Sequence, residues 1–320
     1  MTTLSEELRA VALEELREDD ETREHALAAM REWVEQSAYI IRCRTDDNFF
    51  LRFLRAKKFS LPLAQEAMTR YLLLRQTLPP FRKLDCENPV VSDLIDKGYV
   101  FPCPRRDHKG RRIIVYRPGV FDPHKQTNED MCRIHGMVVE ALLENEEDQI
   151  RGFVHFADGA GVTLPFLTLF TPKEAVRIVK NGERTVPMRH KEVYGFNVHP
   201  SLKIALEFGM SLISEKIKSR VKVFTSLENC LEHIDKTLLP KEYGGEMPMA
   251  EMIALWKKEL LASRAKILAL DEMEVNLEMF TEQARAGAVS ALRTGMLCSQ
   301  PGQNEDIKSL TGSFRKLEVD

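Results

Sequence analysis

The chain has 320 residues, 43% of them apolar and 30% charged, a balance that fits a globular protein and excludes disorder throughout. No apolar run approaches the roughly 18 residues of a membrane span, and Met1-Thr2-Thr3-Leu4-Ser5-Glu6-Glu7 lacks the basic start and apolar stretch of a secretory signal. Cys43, Cys86, Cys103, Cys132, Cys230 and Cys298 stand singly, which argues against a disulfide framework or a zinc site, so a soluble cytoplasmic protein is expected.

The net charge is only −3, yet it is unevenly spread. Residues 1–35 carry eleven acids and four bases, whereas 177–222 carry ten bases and four acids. A basic excess of that size inside a near-neutral chain suits a docking face for an anionic partner, nucleic acid or membrane.

In chain order, the first 80 residues read as helices alone. Thr3 and Glu6 have capping-box spacing, and Leu27, Met30 and Val34 repeat at helical intervals. Asp46 or Asp47 caps a helix over 48–57; Ser60 and Pro62 open another that runs to about Arg75 and stops before Pro79 and Pro80. From 86 to 245 strands alternate with helices. Arg112-Ile113-Ile114-Val115-Tyr116-Arg117, 152–157, 192–197 and 221–225 are predicted strands; 127–146, 172–182 and 200–220 are predicted helices. That alternation predicts a parallel sheet with crossover connections. Helical character resumes over 249–285, and 286–320 reads as a flexible tail.

Chemistry is sparse. There is neither a phosphate-binding Gly-x-x-x-x-Gly-Lys loop nor a Gly-x-Ser-x-Gly elbow. Asp158-Gly159-Ala160-Gly161 lacks the third glycine of a dinucleotide loop and reads as a tight turn. The histidines form no metal-like cluster, and His155, inside a strand, reads as a packed core histidine. No catalytic constellation emerges, and an α/β fold without one is better explained as a binding module.

Five segments in order resemble the CRAL-TRIO lipid-transfer family, whose members include tocopherol and retinaldehyde carriers. They are 46–59 (Asp-Asp-Asn-Phe-Phe-Leu-Arg-Phe-Leu-Arg-Ala-Lys-Lys-Phe), 110–117, Asp158 with Gly161, 214–220, and 239–245 (Leu-Pro-Lys-Glu-Tyr-Gly-Gly). The resemblance implies an α/β protein: an N-terminal helical subdomain (1–85), a CRAL-TRIO sandwich (86–248) whose mostly parallel sheet floors an apolar pocket under a lid helix, a C-terminal helical segment (249–285) and the tail. The lid would span about 197–216, where Leu202, Leu206, Gly209, Ile213 and Ile217 recur at spacings of three and four.

The candidate pocket residues are Phe153, Phe156, Phe166, Leu169, Phe170, Ile178, Val179, Phe208, Leu212 and Ile213. By the same resemblance, Lys57, Arg189, Lys191, Lys216 and Arg220 hold positions associated with phosphoinositide headgroups. Lys216 and Arg220, four apart, would share a helix face. The chain departs from its relatives at Met210-Ser211-Leu212-Ile213, where many have Lys-Pro-Phe-Leu, and over 183–187. Ligand preference is therefore not carried over.

The expected function is a cytosolic, monomeric carrier of one hydrophobic molecule (a tocopherol, retinoid, carotenoid or similar) that exchanges it at phosphoinositide-containing membranes. No enzyme activity, cofactor, metal or nucleic acid is expected. The alternative is a lipid-sensing module whose lid state is read by a protein partner.

Overall fold

Ser5, Asp19 and Asp46 each accept a hydrogen bond from the amide three residues on, at 3.2, 2.7 and 3.2 Å. These caps satisfy amides that a helix start leaves orphaned. They open α1 (Glu6–Leu16), α2 (Asp20–Gln36) and α3 (Asp47–Ala56) in the computed structural model, which describes residues 4–169, 171–286 and 296–298. β1 (Ile40–Arg42) precedes α3; α4 (Leu61–Thr77) and α5 (Pro89–Asp96) follow.

The sheet domain begins with β2 (Val100–Arg106) and β3 (Arg112–Tyr116). Then come α6 (Asn128–Leu142), α7 (Glu146–Arg151), β4 (Phe153–Asp158), α8 (Leu164–Leu167), α9 (Pro172–Thr185) and β5 (His190–Phe196). α10 (Lys203–Leu212), α11 (Glu215–Lys218), β6 (Val221–Val223) and α12 (Leu227–Leu231) lead to the long α13 (Met249–Ala269). β7 (Glu274–Val275) and α14 (Glu282–Arg285) close the described chain, except that Thr281 and Cys298 exchange backbone bonds with Met296 and Met279. The rest of the expected tail lies outside the described residues.

The main sheet has the order β2-β3-β4-β5-β6, with β2 antiparallel to β3 and the other pairs parallel. Each parallel neighbour is reached through helices, as that geometry requires. The fold class read from the sequence is the one observed.

Three local expectations differ from the structure. Pro102 and Pro104 hid β2, and its edge position tolerates residues that donate no ladder bond. The helices-only reading missed β1, whose partner β7 lies more than two hundred residues away, so no local signal announces it. The expected helix over 200–220 is broken: Ile213 is extended (ψ 152°) and Ser214 caps α11, its own amide donating to Glu183 at 2.8 Å. Lys216 and Arg220 thus do not share a helix face, since α11 ends at Lys218.

One core lies around the sheet and includes Phe101, Ile114, Phe153, Phe156, Met137 and Trp256. A second joins Phe49, Phe53, Met68 and Tyr71 of the N-terminal helices to Leu270, Val275, Phe280 and Ala284 from the end of the chain. α1 adds a small third cluster, Leu8, Ala12 and Leu16 on Ile150.

Candidate functional site

β4 alternates its side chains, so Phe153 and His155 face one layer while Val154 and Phe156 face the other. Both phenylalanines are fully buried, but Phe156 packs on Phe196 and Tyr243, with ring centroids 4.6 and 5.1 Å away. The structure therefore does not bring Phe153 and Phe156 to one side of the sheet. Phe166 and Leu169, in and after α8, are half-buried against the main core, Phe166 edge-on to Phe121. Ile178 on α9 and Phe208 on α10 are exposed, and Val179, Leu212 and Ile213 are half-buried. Phe170 lies outside the described residues.

α10 carries Ile204, Leu206, Phe208, Met210 and Leu212, yet none of its residues is buried, and Ile204 is 80% exposed. An added Cβ at Gly209, or at Gly182 on α9, would meet nothing within 4 Å. Leu206, Met210 and Leu212 are half-buried, and the apolar surface that stays uncovered costs about 25 cal/mol for each Å² in water. The segment leading into it starts at Asn197, which sits in the left-handed region (φ 55°) and donates its side-chain amide to Asp158 at 3.0 Å.

A chain of polar rings crosses the Phe153 side of the sheet. Tyr99 Oη lies 3.0 Å from His135 Nε2, and Tyr116 stacks on His135. Tyr116 Oη lies 3.1 Å from His155 Nδ1, and His155 Nε2 lies 2.8 Å from His190 Nδ1. Burial pushes His135 and His190 down to about 4, with the Arg220 charge adding to the latter, and holds His155 well below its ordinary value. The imidazoles are neutral at pH 7. His135, Tyr116 and His190 nonetheless keep some accessible surface. The sequence marked only His155 here, because its hydrogen-bonded partners on β3 and β5, and the α6 ring stacked on Tyr116, meet only after folding.

The five basic candidates do converge. Lys57 follows α3, Arg189 and Lys191 flank the start of β5, and Lys216 and Arg220 lie on and after α11. Burial, then the charges of Arg220, Lys58 and Arg189, lowers the Lys216 ammonium below its ordinary value. Lys57 is lowered by burial and by Lys216, Arg70 and Arg184, against Glu66. Lys57, Lys216, Arg189 and Arg220 are thus close enough to feel one another's charge. A cleft of about 430 Å³ opens beside them, lined by Val11, Glu15, Lys109, Arg111, Arg151, Lys191 and Arg220. Lys109, Arg111 and Arg151 escaped the sequence reading, their spacing being no different from that of other surface bases.

Among the described residues, no His, Cys, Asp or Glu group is arranged to hold a metal ion, and no helix is long and apolar enough to cross a membrane.

A family model described as CRAL/TRIO domain matches residues 96–245. A Homo sapiens protein named alpha-tocopherol transfer protein-like is 30% identical over 263 residues, covering 82% of this chain and 76% of the relative. Clavesin-2 of Rattus norvegicus is 28% identical over 284 residues, covering 87% and 84%. The crystal structure of Sfh5 aligns with a TM-score of 0.50 at 11% identity over 77% of this chain and 99% of that one, a likeness of fold alone. Fold, family model and relatives agree: the chain belongs to the CRAL-TRIO family of lipid-binding and transfer proteins.

Proposed function

We propose that this protein is a carrier that shelters one hydrophobic small molecule beneath α10 and exchanges it at phosphoinositide-bearing membranes. The observation that carries this reading is the apolar α10, none of whose residues is buried. A ligand burying about 500 Å² of apolar surface gains on the order of 12 kcal/mol, so release into water is very slow. Release beside a bilayer exchanges one apolar solvent for another.

The Tyr116–His155–His190 chain supports a ligand with an apolar body and a hydrogen-bonding head, a description that fits tocopherols and retinoids. The basic cluster supports docking, since each basic residue near an anionic leaflet contributes about 1 kcal/mol. A carrier of this kind works as a monomer that visits membranes reversibly from the cytosol.

Native mass spectrometry with organic extraction of the purified protein tests the pocket, and filter transfer between donor and acceptor vesicles tests carriage. A co-purifying lipid-like molecule and ligand-dependent transfer are expected. A protein that holds nothing extractable and moves no tocopherol or retinoid between vesicles ends the proposal.

A further inference from the structure

The crowded basic cluster is not empty of negative charge. Glu15, near the end of α1, reaches across the cleft; its Oε2 accepts from Arg189 Nη2 at 2.6 Å and from Lys191 Nζ. Burial works against its ionisation, but the hydrogen bonds from Lys191 and Arg189 outweigh burial and hold the carboxyl below its ordinary range. Arg189 also donates to the Ile150 carbonyl, and Arg220 to that of His190, so both guanidiniums are fixed in place before any ligand arrives.

We propose that Glu15 is a built-in surrogate for a headgroup phosphate, occupying the anion site between Arg189 and Lys191 and leaving it only when a membrane phosphoinositide displaces it. The inference rests on the phosphoinositide reading above and adds an internal competitor to it.

Charge supports displacement. A phosphomonoester brings about −1.5 to −2 charges and three acceptor oxygens, against a single charge from Glu15. Burial, the larger cause, and the Arg220 charge keep Arg189 below its ordinary value even with Glu15 in contact. Lys109 and Arg220 line the same cleft, and neither ion-pairs with a carboxylate among the described residues. They are placed to meet a further phosphate on the same ring.

Geometry makes the exchange small. α1 is anchored independently by Leu8, Ala12 and Leu16 on Ile150 and by Glu7, which pairs with Arg151 at 2.7 Å. The Glu15 side chain is 37% exposed. A rotation of that side chain frees the site while the helix stays docked. The function this assigns to α1 is restraint: the protein holds weakly to membranes of general negative charge and firmly only where phosphates are clustered.

The test compares full-length wild type, Glu15→Gln and Glu14→Gln in co-sedimentation with phosphatidylcholine vesicles, with and without phosphatidylinositol bisphosphate. Glu14 is exposed on the same helix, so its variant makes the same change in net charge outside the cleft. Glu15→Gln is expected to tighten phosphoinositide-dependent binding about fivefold, one charge near an anionic surface, with little change for Glu14→Gln. Equal behaviour of the two variants, with wild type still phosphoinositide-dependent, overturns the surrogate and leaves the docking reading standing. If neither wild type nor Glu15→Gln responds to the phosphoinositide, the docking reading itself falls. Calorimetry with soluble inositol trisphosphate separates the sources: a gain there without one on vesicles overturns membrane displacement.

Discussion

The Tyr243 hydroxyl donates to Asp158 Oδ2 at 2.8 Å, tying the 239–245 segment to the C-terminal end of β4. The other oxygen of the same carboxylate accepts from the Ala160 amide and the Asn197 side chain, each at 3.0 Å. Asp158 thereby fixes the residue from which the α10 segment departs. Two motifs recognisable in the sequence are one physical unit that anchors the start of the α10 segment.

Asp158→Ala is expected to speed hydrogen exchange across 197–216 while leaving β4 protected. Tyr243→Phe removes one bond to a charged acceptor and is expected to cost about 1–3 kcal/mol in thermal or urea unfolding. Unchanged exchange over 197–216 in Asp158→Ala would show that the α10 segment is anchored elsewhere.

Arg55 is fully buried and links α3 to distant segments: Glu18 at 2.7 Å, Glu146 at 2.9 Å and Gln149 at 2.8 Å. Arg55→Ala would leave Glu18 buried without its fork of donors, so a loss of about 3–5 kcal/mol is expected in urea denaturation. Arg55→Lys should restore little, because an ammonium cannot reproduce the bidentate geometry. Arg42→Ala, which breaks the exposed pair with Glu274, should stay within about 1 kcal/mol.

Stability is expected to fall as pH drops from about 6.5 toward 4. His135 and His190 are held near 4 in the folded protein, so between those values the unfolded chain binds more protons. Stability then rises with pH and is fully present above 6.5, each imidazole contributing a slope of about 1.4 kcal/mol per pH unit inside the window. The groups around them are Tyr99, Tyr116 and His155, with Arg220 and Glu183 acting on His190. His135→Gln should flatten the melting-temperature profile over this range; a profile as steep as wild type would refute the assignment.

Lys216→Ala combined with Arg220→Ala should weaken binding to phosphoinositide vesicles by about 2 kcal/mol, roughly thirtyfold. Lys216 is exposed but Arg220 is half-buried and donates to the His190 carbonyl, so circular dichroism and a melting curve check the fold of the double variant. Raising salt should weaken wild type more than the variant, since fewer charges remain to be screened. Unchanged sedimentation removes these two residues from the docking face.

The sequence by itself determined the alternation of strands and helices beyond residue 110, the Asp46 cap, the sheet's parallel centre and the family; the capping box read at Thr3 and Glu6 gives way to a cap at Ser5. Those features rest on local patterns: the Asp46 side chain acts within one helical turn, and buried parallel strands such as 153–158 are apolar runs whatever surrounds them. It also marked the basic candidates that converge, through their resemblance to known positions. Tertiary structure decided the rest. That Tyr116, His135, His155 and His190 form one neutral chain, and that Glu15 lies between Arg189 and Lys191, depend on pairings across 19 to 176 residues. A charge or an imidazole carries no sign of its distant partner. Its role is set by the field and the burial it meets after folding, and neither exists in the linear chain.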